Sequence, residues 1–156
     1  MIRITTFASL HQLGEGKVSS DAGMGGGGSL SKRILIVDDN QDTVHILTVI
    51  LNQGGYPTFA ARDGVEALQK IQEEAPALVL LDIMMPKLDG FGVMEVMRGD
   101  SGMSQIPVLV ISAKVDRASK ARSMELGARD YIVKPINPDE ILLKVKEHCP
   151  ALKTLV

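Results

Sequence analysis

The chain has 156 residues, of which 45% are apolar and only 3% aromatic, so we expect one domain with a core of aliphatic side chains and methionine. A formal net charge of -2 and the absence of any run of Lys and Arg argue against direct binding to nucleic acid or to an anionic membrane. The single cysteine, Cys149, argues against a disulfide scaffold or zinc cluster, and no apolar stretch approaches the roughly 20 residues of a membrane span. We therefore expect a soluble cytoplasmic protein, with the Cys149 thiol at the surface or half-buried.

The first 30 residues differ in composition from the rest of the chain. They contain the glycine run Gly25 to Gly28, followed by Ser29. Such a segment offers few side chains for a core, and ordering its glycines is entropically costly. We predict a flexible Gly- and Ser-rich extension over residues 1–30, either a linker or a foreign addition, a folded domain over 31–149, and a short tail over 150–156.

From residue 31 onward, short apolar runs alternate with segments of helical period, which indicates repeated βα units and a parallel sheet. We predict strands over residues 32–37, 58–61, 78–81, 107–111 and 131–133, and helices over 41–53, 64–74, 91–98, 117–126 and 138–148. Right-handed crossovers then favour an α/β fold of flavodoxin-like type. This is a doubly wound sheet of five parallel strands in the order 2-1-3-4-5, with five helices on its two faces.

Polar residues stand where four of these apolar runs stop. Asp38 and Asp39 follow the first strand, Asp82 the third, Ser112 the fourth and Lys134 the fifth. The carboxyl ends of parallel strands share one edge of the sheet, which is where open α/β sheets bind ligands. We therefore expect carboxylates, a hydroxyl and an ammonium group to converge at this edge.

Converging carboxylates repel one another, which raises the pKa of at least one of them unless a cation neutralises the charge. Hard oxygen ligands of this kind suit Mg²⁺ or Mn²⁺. Taken singly, each residue also has an ordinary structural role, since an Asp pair can cap a helix, Ser112 can form a turn or a cap, and Lys134 can be a solvated charge. The loop after Asp82 is less ordinary, because it places two exposed methionines, Met84 and Met85, directly after a buried strand.

Four segments together resemble the receiver domain of two-component response regulators. They are residues 37–39 (VDD), 81–90 (LDIMMPKLDG), 111–113 (ISA) and 131–135 (YIVKP), and residues 64–68 (GVEAL) and 127–131 (GARDY) also fit the pattern. The resemblance covers residues 32–148. Each segment is a weak signal alone, whereas their combined spacing is specific.

The resemblance implies a phosphorylation site with a bound metal. Asp82 would be the phosphoacceptor, attacking the phosphohistidine of a sensor histidine kinase or phosphotransfer protein to give an aspartyl phosphate. Asp39, Asp82 and the backbone carbonyl of Met84 would ligate Mg²⁺, with Asp38 acting through the water shell of the metal. The domain would then not be an enzyme that acts on a separate substrate. It would be a signalling switch that catalyses its own phosphorylation and dephosphorylation.

The resemblance also implies how the phosphorylated site would act. Lys134 would pair with Asp82 or with a phosphoryl oxygen, aimed inward by a cis peptide bond before Pro135. Ser112 would donate a hydrogen bond to the phosphoryl group, and Tyr131 would be the switch aromatic that moves between exposed and buried positions. The output would be a changed protein-binding surface on the fifth strand and the fourth and fifth helices, with a phosphorylation-linked dimer as one possible form.

Two positions that tune the lifetime of the phosphoryl group in this family are Met84 and Lys114 here. Neither side chain is a carboxylate or an amide that would hold an attacking water, so the resemblance favours slow self-hydrolysis.

Two alternatives remain at this point. A small Mg²⁺-dependent phosphohydrolase of the haloacid-dehalogenase type also forms an aspartyl phosphate, but it requires Asp-x-Asp after the first strand, where this chain has Asp38-Asp39-Asn40. A receiver-like scaffold that is never phosphorylated would have lost part of the site, whereas every residue needed for phosphorylation is present here.

Overall fold

The computed structural model describes residues 33–149, and the predicted extension over 1–30 and tail over 150–156 lie outside the described residues. Strands and helices alternate within this range. The strands are β1 Ile34–Val37, β2 Thr58–Ala61, β3 Leu78–Leu81, β4 Val108–Ser112 and β5 Asp130–Val133. The helices are α1 Gln41–Gln53, α2 Gly64–Glu74, α3 Gly90–Arg98, α4 Arg117–Glu125 and α5 Pro138–His148.

The strands form one parallel sheet in the order β2-β1-β3-β4-β5, which confirms the predicted topology. The order places β1 and β3 side by side, with Val37 opposite Leu81 at their carboxyl ends. Asp38 and Asp82 therefore leave the sheet from adjacent positions.

The core lies on both faces of the sheet, because successive side chains of a strand point to opposite faces. In β1, Leu35 and Val37 pack in the core that includes α2 and α3, while Ile34 and Ile36 pack in the core that includes α1 and α5. Continuous burial of this kind is typical of parallel strands covered by helices on both sides. None of the helices within residues 33–149 is long and apolar enough to cross a membrane.

Cys149 lies just after α5 and is fully buried in the core beside α1 and α5, so the expectation of a surface or half-buried thiol was wrong. Burial raises the pKa of this thiol. The expectation rested only on the presence of a single cysteine in the sequence. The exposure of Cys149 depends instead on how the end of α5 packs, which the number of cysteines does not reveal.

Each helix begins at the carboxyl edge with an Asn or Asp side chain that accepts a hydrogen bond from the first helical turn. These N-caps are Asn40, Asp63, Asp89, Asp116 and Asn137. Because Asn40 caps α1, neither Asp38 nor Asp39 is needed for that role. Because Asp116 caps α4, Ser112 is not a cap either. Asp38 and Ser112 do accept hydrogen bonds from the N–H groups of Asn40 and Lys114, so each has a local structural role as well.

Candidate functional site

Three carboxylates meet at the carboxyl edge of the sheet. Asp38 and Asp39 follow β1, Asp82 follows β3, and a carboxylate oxygen from each lies within 4.8 Å of the others. Asp38 and Asp82 are only 3% and 6% exposed, whereas Asp39 is exposed. We call these three residues the acid cluster. It is enclosed by the protein on one side and open to solvent at Asp39.

Lys134 supplies positive charge to the acid cluster. Its Nζ lies 3.0 Å from Oδ2 of Asp38 and 3.6 Å from Oδ2 of Asp82, and its side chain is 22% exposed. It is therefore not a solvated charge at the end of a strand. The nearer partner is Asp38 rather than Asp82, and Asp38 is the more deeply buried carboxylate, where an unpaired charge is more costly.

The backbone around Lys134 is also defined. Its N–H donates a hydrogen bond of 2.9 Å to the carbonyl oxygen of Ser112, so the end of β5 is joined to the end of β4. The peptide bond between Lys134 and Pro135 is cis.

The charge of Asp82 is only partly compensated. Burial, and then repulsion from Asp38, raise the pKa of Asp82 to about 6, against the opposing effects of Lys134 and of backbone N–H groups. One of these groups, the N–H of Met84, lies 3.4 Å from Oδ1 of Asp82. A carboxylate whose pKa is raised in this way is stabilised in its ionised form by any cation that binds beside it.

Ser112 and Tyr131 both form hydrogen bonds with the main chain of Lys114. The fully buried Ser112 accepts a hydrogen bond at Oγ from the N–H of Lys114, at 3.1 Å. The hydroxyl of Tyr131, which is 8% exposed, donates to the carbonyl oxygen of Lys114 at 2.8 Å. Burial raises the pKa of Tyr131 above its ordinary value. The structure shows Tyr131 in its buried position.

The loop that follows Asp82 is fixed by close packing at Gly90, the first residue of α3. The N–H of Gly90 donates to the carbonyl oxygen of Ile83 at 2.8 Å. A Cβ on residue 90 would lie 2.5 Å from the carbonyl oxygen of Asp82 and 2.7 Å from the Cα of Ile83, so only glycine fits. Sequence reasoning gave Gly90 no role of its own. The available signal was a glycine directly after an N-cap, where helix propensity alone disfavours it.

The two methionines of this loop differ in exposure. Met84 is 57% exposed, as expected, whereas Met85 is only partly exposed and packs against the core on the α2 and α3 side of the sheet. The expectation that both are exposed was therefore wrong for Met85.

Comparisons with a family model and with known proteins all indicate the same family. Residues 34–146 match the family model of the response regulator receiver domain. The chain is 42% identical over 117 residues to the alkaline phosphatase synthesis transcriptional regulatory protein PhoP of Bacillus subtilis, covering 75% of this chain and 48% of PhoP. It is 39% identical over 118 residues to the DNA-binding response regulator MtrA of Mycobacterium tuberculosis, covering 76% of this chain and 50% of MtrA.

A solved structure is similar throughout the domain. The chemotaxis protein CheY4 of Vibrio cholerae has a TM-score of 0.71 and 28% sequence identity, covering 76% of this chain and 99% of that one.

These relatives correct one prediction. The expectation of no direct nucleic-acid binding is contradicted, because MtrA is a DNA-binding response regulator and PhoP a transcriptional regulatory protein. The expectation was based on the charge of this chain alone. The chain spans about half the length of these relatives, so the charge of the matched segment does not measure what the full-length relatives bind.

Proposed function

Because the chain belongs to the receiver-domain family of two-component response regulators, we propose that it is a phosphorylation switch. Asp82 would accept a phosphoryl group from the phosphohistidine of a sensor histidine kinase or a phosphotransfer protein. The observation that carries this proposal is the acid cluster, whose carboxylate oxygens lie within 4.8 Å of one another beside the Lys134 ammonium group. Family membership speaks against the haloacid-dehalogenase alternative.

Asp82 has the surroundings of a carboxylate nucleophile. It is buried, so few waters compete for its oxygens, and it stands between Lys134 and the N–H of Met84. In the proposed reaction a carboxylate oxygen of Asp82 attacks phosphorus, and the bond between phosphorus and the donor imidazole nitrogen breaks. Lys134 then lies beside the oxygens on which negative charge accumulates.

The acid cluster also fits a divalent cation. Asp39, Asp82 and the backbone carbonyl of Met84 would hold Mg²⁺ or Mn²⁺, and Asp38 would act through water. Carboxylate oxygens are the ligands these ions prefer, and the pKa of Asp82 is raised first by burial and then by repulsion from Asp38, both of which a bound cation would oppose. When bound, the cation supplies charge neutralisation between the acid cluster and the incoming phosphoryl group.

The hydrogen bonds around Lys114 suggest how phosphorylation would be transmitted. A phosphoryl group adds about -1.5 to -2 charges at neutral pH, and the Ser112 hydroxyl would turn to donate to one of its oxygens. The N–H of Lys114 would then lose its acceptor, while the carbonyl of the same residue is the acceptor for Tyr131. A shift of the Lys114 main chain would therefore change the position of Tyr131 on β5.

The surface proposed to respond is formed by β5, α4 and α5. Exposed apolar side chains at or near this surface are Val115 at 76%, Met124 at 43%, Val133 at 39% and Leu143 at 56%. A downstream protein, or a second copy after phosphorylation, would bind here. The switch would act in the cytoplasm, whose reducing conditions suit the one free thiol.

Labelling with acetyl phosphate and Mg²⁺, followed by intact-mass measurement, tests the assignment of Asp82. The wild-type domain should gain one phosphoryl group and lose this labelling when Mg²⁺ is chelated, and Asp39→Ala should be severely impaired. Asp82→Asn should gain none. Asp89→Asn is the matched control, because it removes a carboxylate from the same loop while its amide still caps α3.

Robust labelling of Asp82→Asn would overturn the assignment of the phosphoacceptor. Failure to label the folded wild-type domain would instead favour the alternative of an unphosphorylated scaffold.

A further inference from the structure

Met84 is the most exposed methionine among residues 33–149. It is 57% exposed, against 43% for Met124 on α4, and the other methionines in this range are buried or partly buried. The only cysteine of the chain, Cys149, is fully buried. An oxidant arriving from solvent therefore meets the Met84 thioether before the other sulfur atoms of this range, since exposure governs susceptibility.

The exposed Met84 lies next to the proposed phosphorylation site in the sequence and in the structure. Met84 is two residues after Asp82, and its N–H lies 3.4 Å from Oδ1 of that carboxylate. The loop has little freedom to withdraw the side chain, because Gly90 packs against the backbone of residues 82 and 83, and Met85 is anchored on the core. The exposed side chain of Met84 is therefore attached to a backbone position that is fixed beside Asp82.

We propose that Met84 is an oxidation site, at which hydrogen peroxide converts the thioether to a sulfoxide and thereby shortens the lifetime of the phosphoryl group on Asp82. The second half of this inference rests on the proposed function of Asp82. In the oxidation, the O–O bond of the peroxide breaks, one oxygen bonds to the sulfur of Met84, and the other leaves as water. The sulfur loses two electrons and the peroxide gains two.

The effect on lifetime follows from the chemistry of the new group. A thioether is a weak hydrogen-bond acceptor, so Met84 holds water poorly. A sulfoxide oxygen carries partial negative charge and accepts hydrogen bonds, so it holds a water molecule at the rim of the site, as an amide side chain would. One neutral hydrogen bond of this kind is expected to speed hydrolysis of the aspartyl phosphate by about two- to tenfold.

The experiment has two separate measurements. The full chain is treated with limiting hydrogen peroxide, and peptide mapping by mass spectrometry follows sulfoxide formation at Met84 and Met124. The same protein is then phosphorylated with acetyl phosphate, and decay of the phosphoryl group is followed by intact mass. Met84 should oxidise before Met124, and decay should become about two- to tenfold faster.

Three variants control the result. Met84→Leu keeps every other methionine and should show the same decay rate with and without peroxide. Met124→Leu should respond to peroxide as the wild type does. Met84→Gln places an amide at this position without any oxidant and should decay faster than Met84→Leu.

Slower oxidation of Met84 than of Met124 would overturn the assignment of the oxidation site. A peroxide effect that persists in Met84→Leu, or an unchanged decay rate in protein oxidised at Met84, would overturn the effect on lifetime. Failure of the untreated protein to accept phosphate would instead refute the proposed function, and with it the effect on lifetime, while the peptide map would still decide whether Met84 is the oxidation site.

Discussion

Replacing Asp82 with Asn should stabilise the unphosphorylated domain at neutral pH when divalent ions are absent. Asn has nearly the shape of Asp but no charge, so it removes the repulsion with Asp38 and the cost of burying a carboxylate. The residue proposed to carry the chemistry is thus expected to weaken the fold that holds it.

The magnitude follows from the pKa of Asp82. This pKa is about 6 in the folded domain, against an ordinary value of 3.8, and each pKa unit corresponds to about 1.4 kcal/mol. The ionised carboxylate therefore lowers the free energy of unfolding by about 3 kcal/mol at about pH 7.5. The folded state binds the proton of the Asp82 carboxyl group more tightly than the unfolded state does. Protonation of Asp82 therefore stabilises the fold fully below about pH 4, and this stabilisation is lost as the pH rises through about 6.

Urea unfolding, monitored by circular dichroism in the presence of a chelator, measures this effect. At about pH 7.5, Asp82→Asn should exceed the wild type by about 3 kcal/mol, and at about pH 5 the difference should fall by about half, because Asp82 is then largely protonated in the folded state. Mg²⁺ should narrow the difference at neutral pH, because it should bind the three carboxylates of the wild type more tightly than the two that remain in Asp82→Asn. Asp89→Asn, on the same loop, is the matched control and should not reproduce the gain at neutral pH, because its amide still caps α3. Equal stability of wild type and Asp82→Asn at neutral pH, or a difference that grows at the lower pH, would refute the reasoning.

Three further predictions concern the neighbours of the acid cluster. Lys134→Met should lower the free energy of unfolding by about 2 kcal/mol, because a buried carboxylate loses its charged hydrogen-bond partner, and carboxyl NMR titration should show a still higher pKa for the phosphoacceptor. Ser112→Ala should still accept phosphate, but NMR shifts on β5, α4 and α5 should change little with beryllofluoride; an undiminished response would mean that the coupling takes another route. Gly90→Ala should strongly reduce stability and labelling, because its Cβ meets backbone at 2.5 Å. Gly92→Ala is the control: its Cβ meets the side chain of Leu88, at 2.4 Å from Cδ1 and 3.0 Å from Cγ, which can turn aside more easily than backbone, so the loss in urea unfolding and labelling should be clearly smaller.

The order of elements was predictable because the signals are local. Runs such as residues 78–81 are apolar and bounded by breakers, so strand existence and the parallel topology followed, and the structure confirms both. Element ends were less certain. β4 extends to Ser112, which pairs with Val133 of β5, and α3 begins at Gly90, directly after its N-cap Asp89. Each end lies one residue from the predicted bound.

What escaped prediction depends on three-dimensional packing. Sequence spacing brings Lys134 to the correct edge, but its distances to two carboxylates decide that Asp38 is the nearer partner. The burial of Cys149 depends on how the end of α5 meets α1. Likewise, the need for glycine at position 90 appears only when the backbone of Asp82 is seen beside it.

The hydrogen bonds at Lys114 have an implication for how this site varies. Ser112 and Tyr131 both bind the main chain of this residue, and every amino acid except proline offers the same N–H and C=O groups. The side chain at position 114 is exposed and takes no part in either bond. Under the proposed function, an exchange of this side chain would change how long the signal lasts while both hydrogen bonds stay in place, so the duration and the transmission of the signal would be separable properties of one residue.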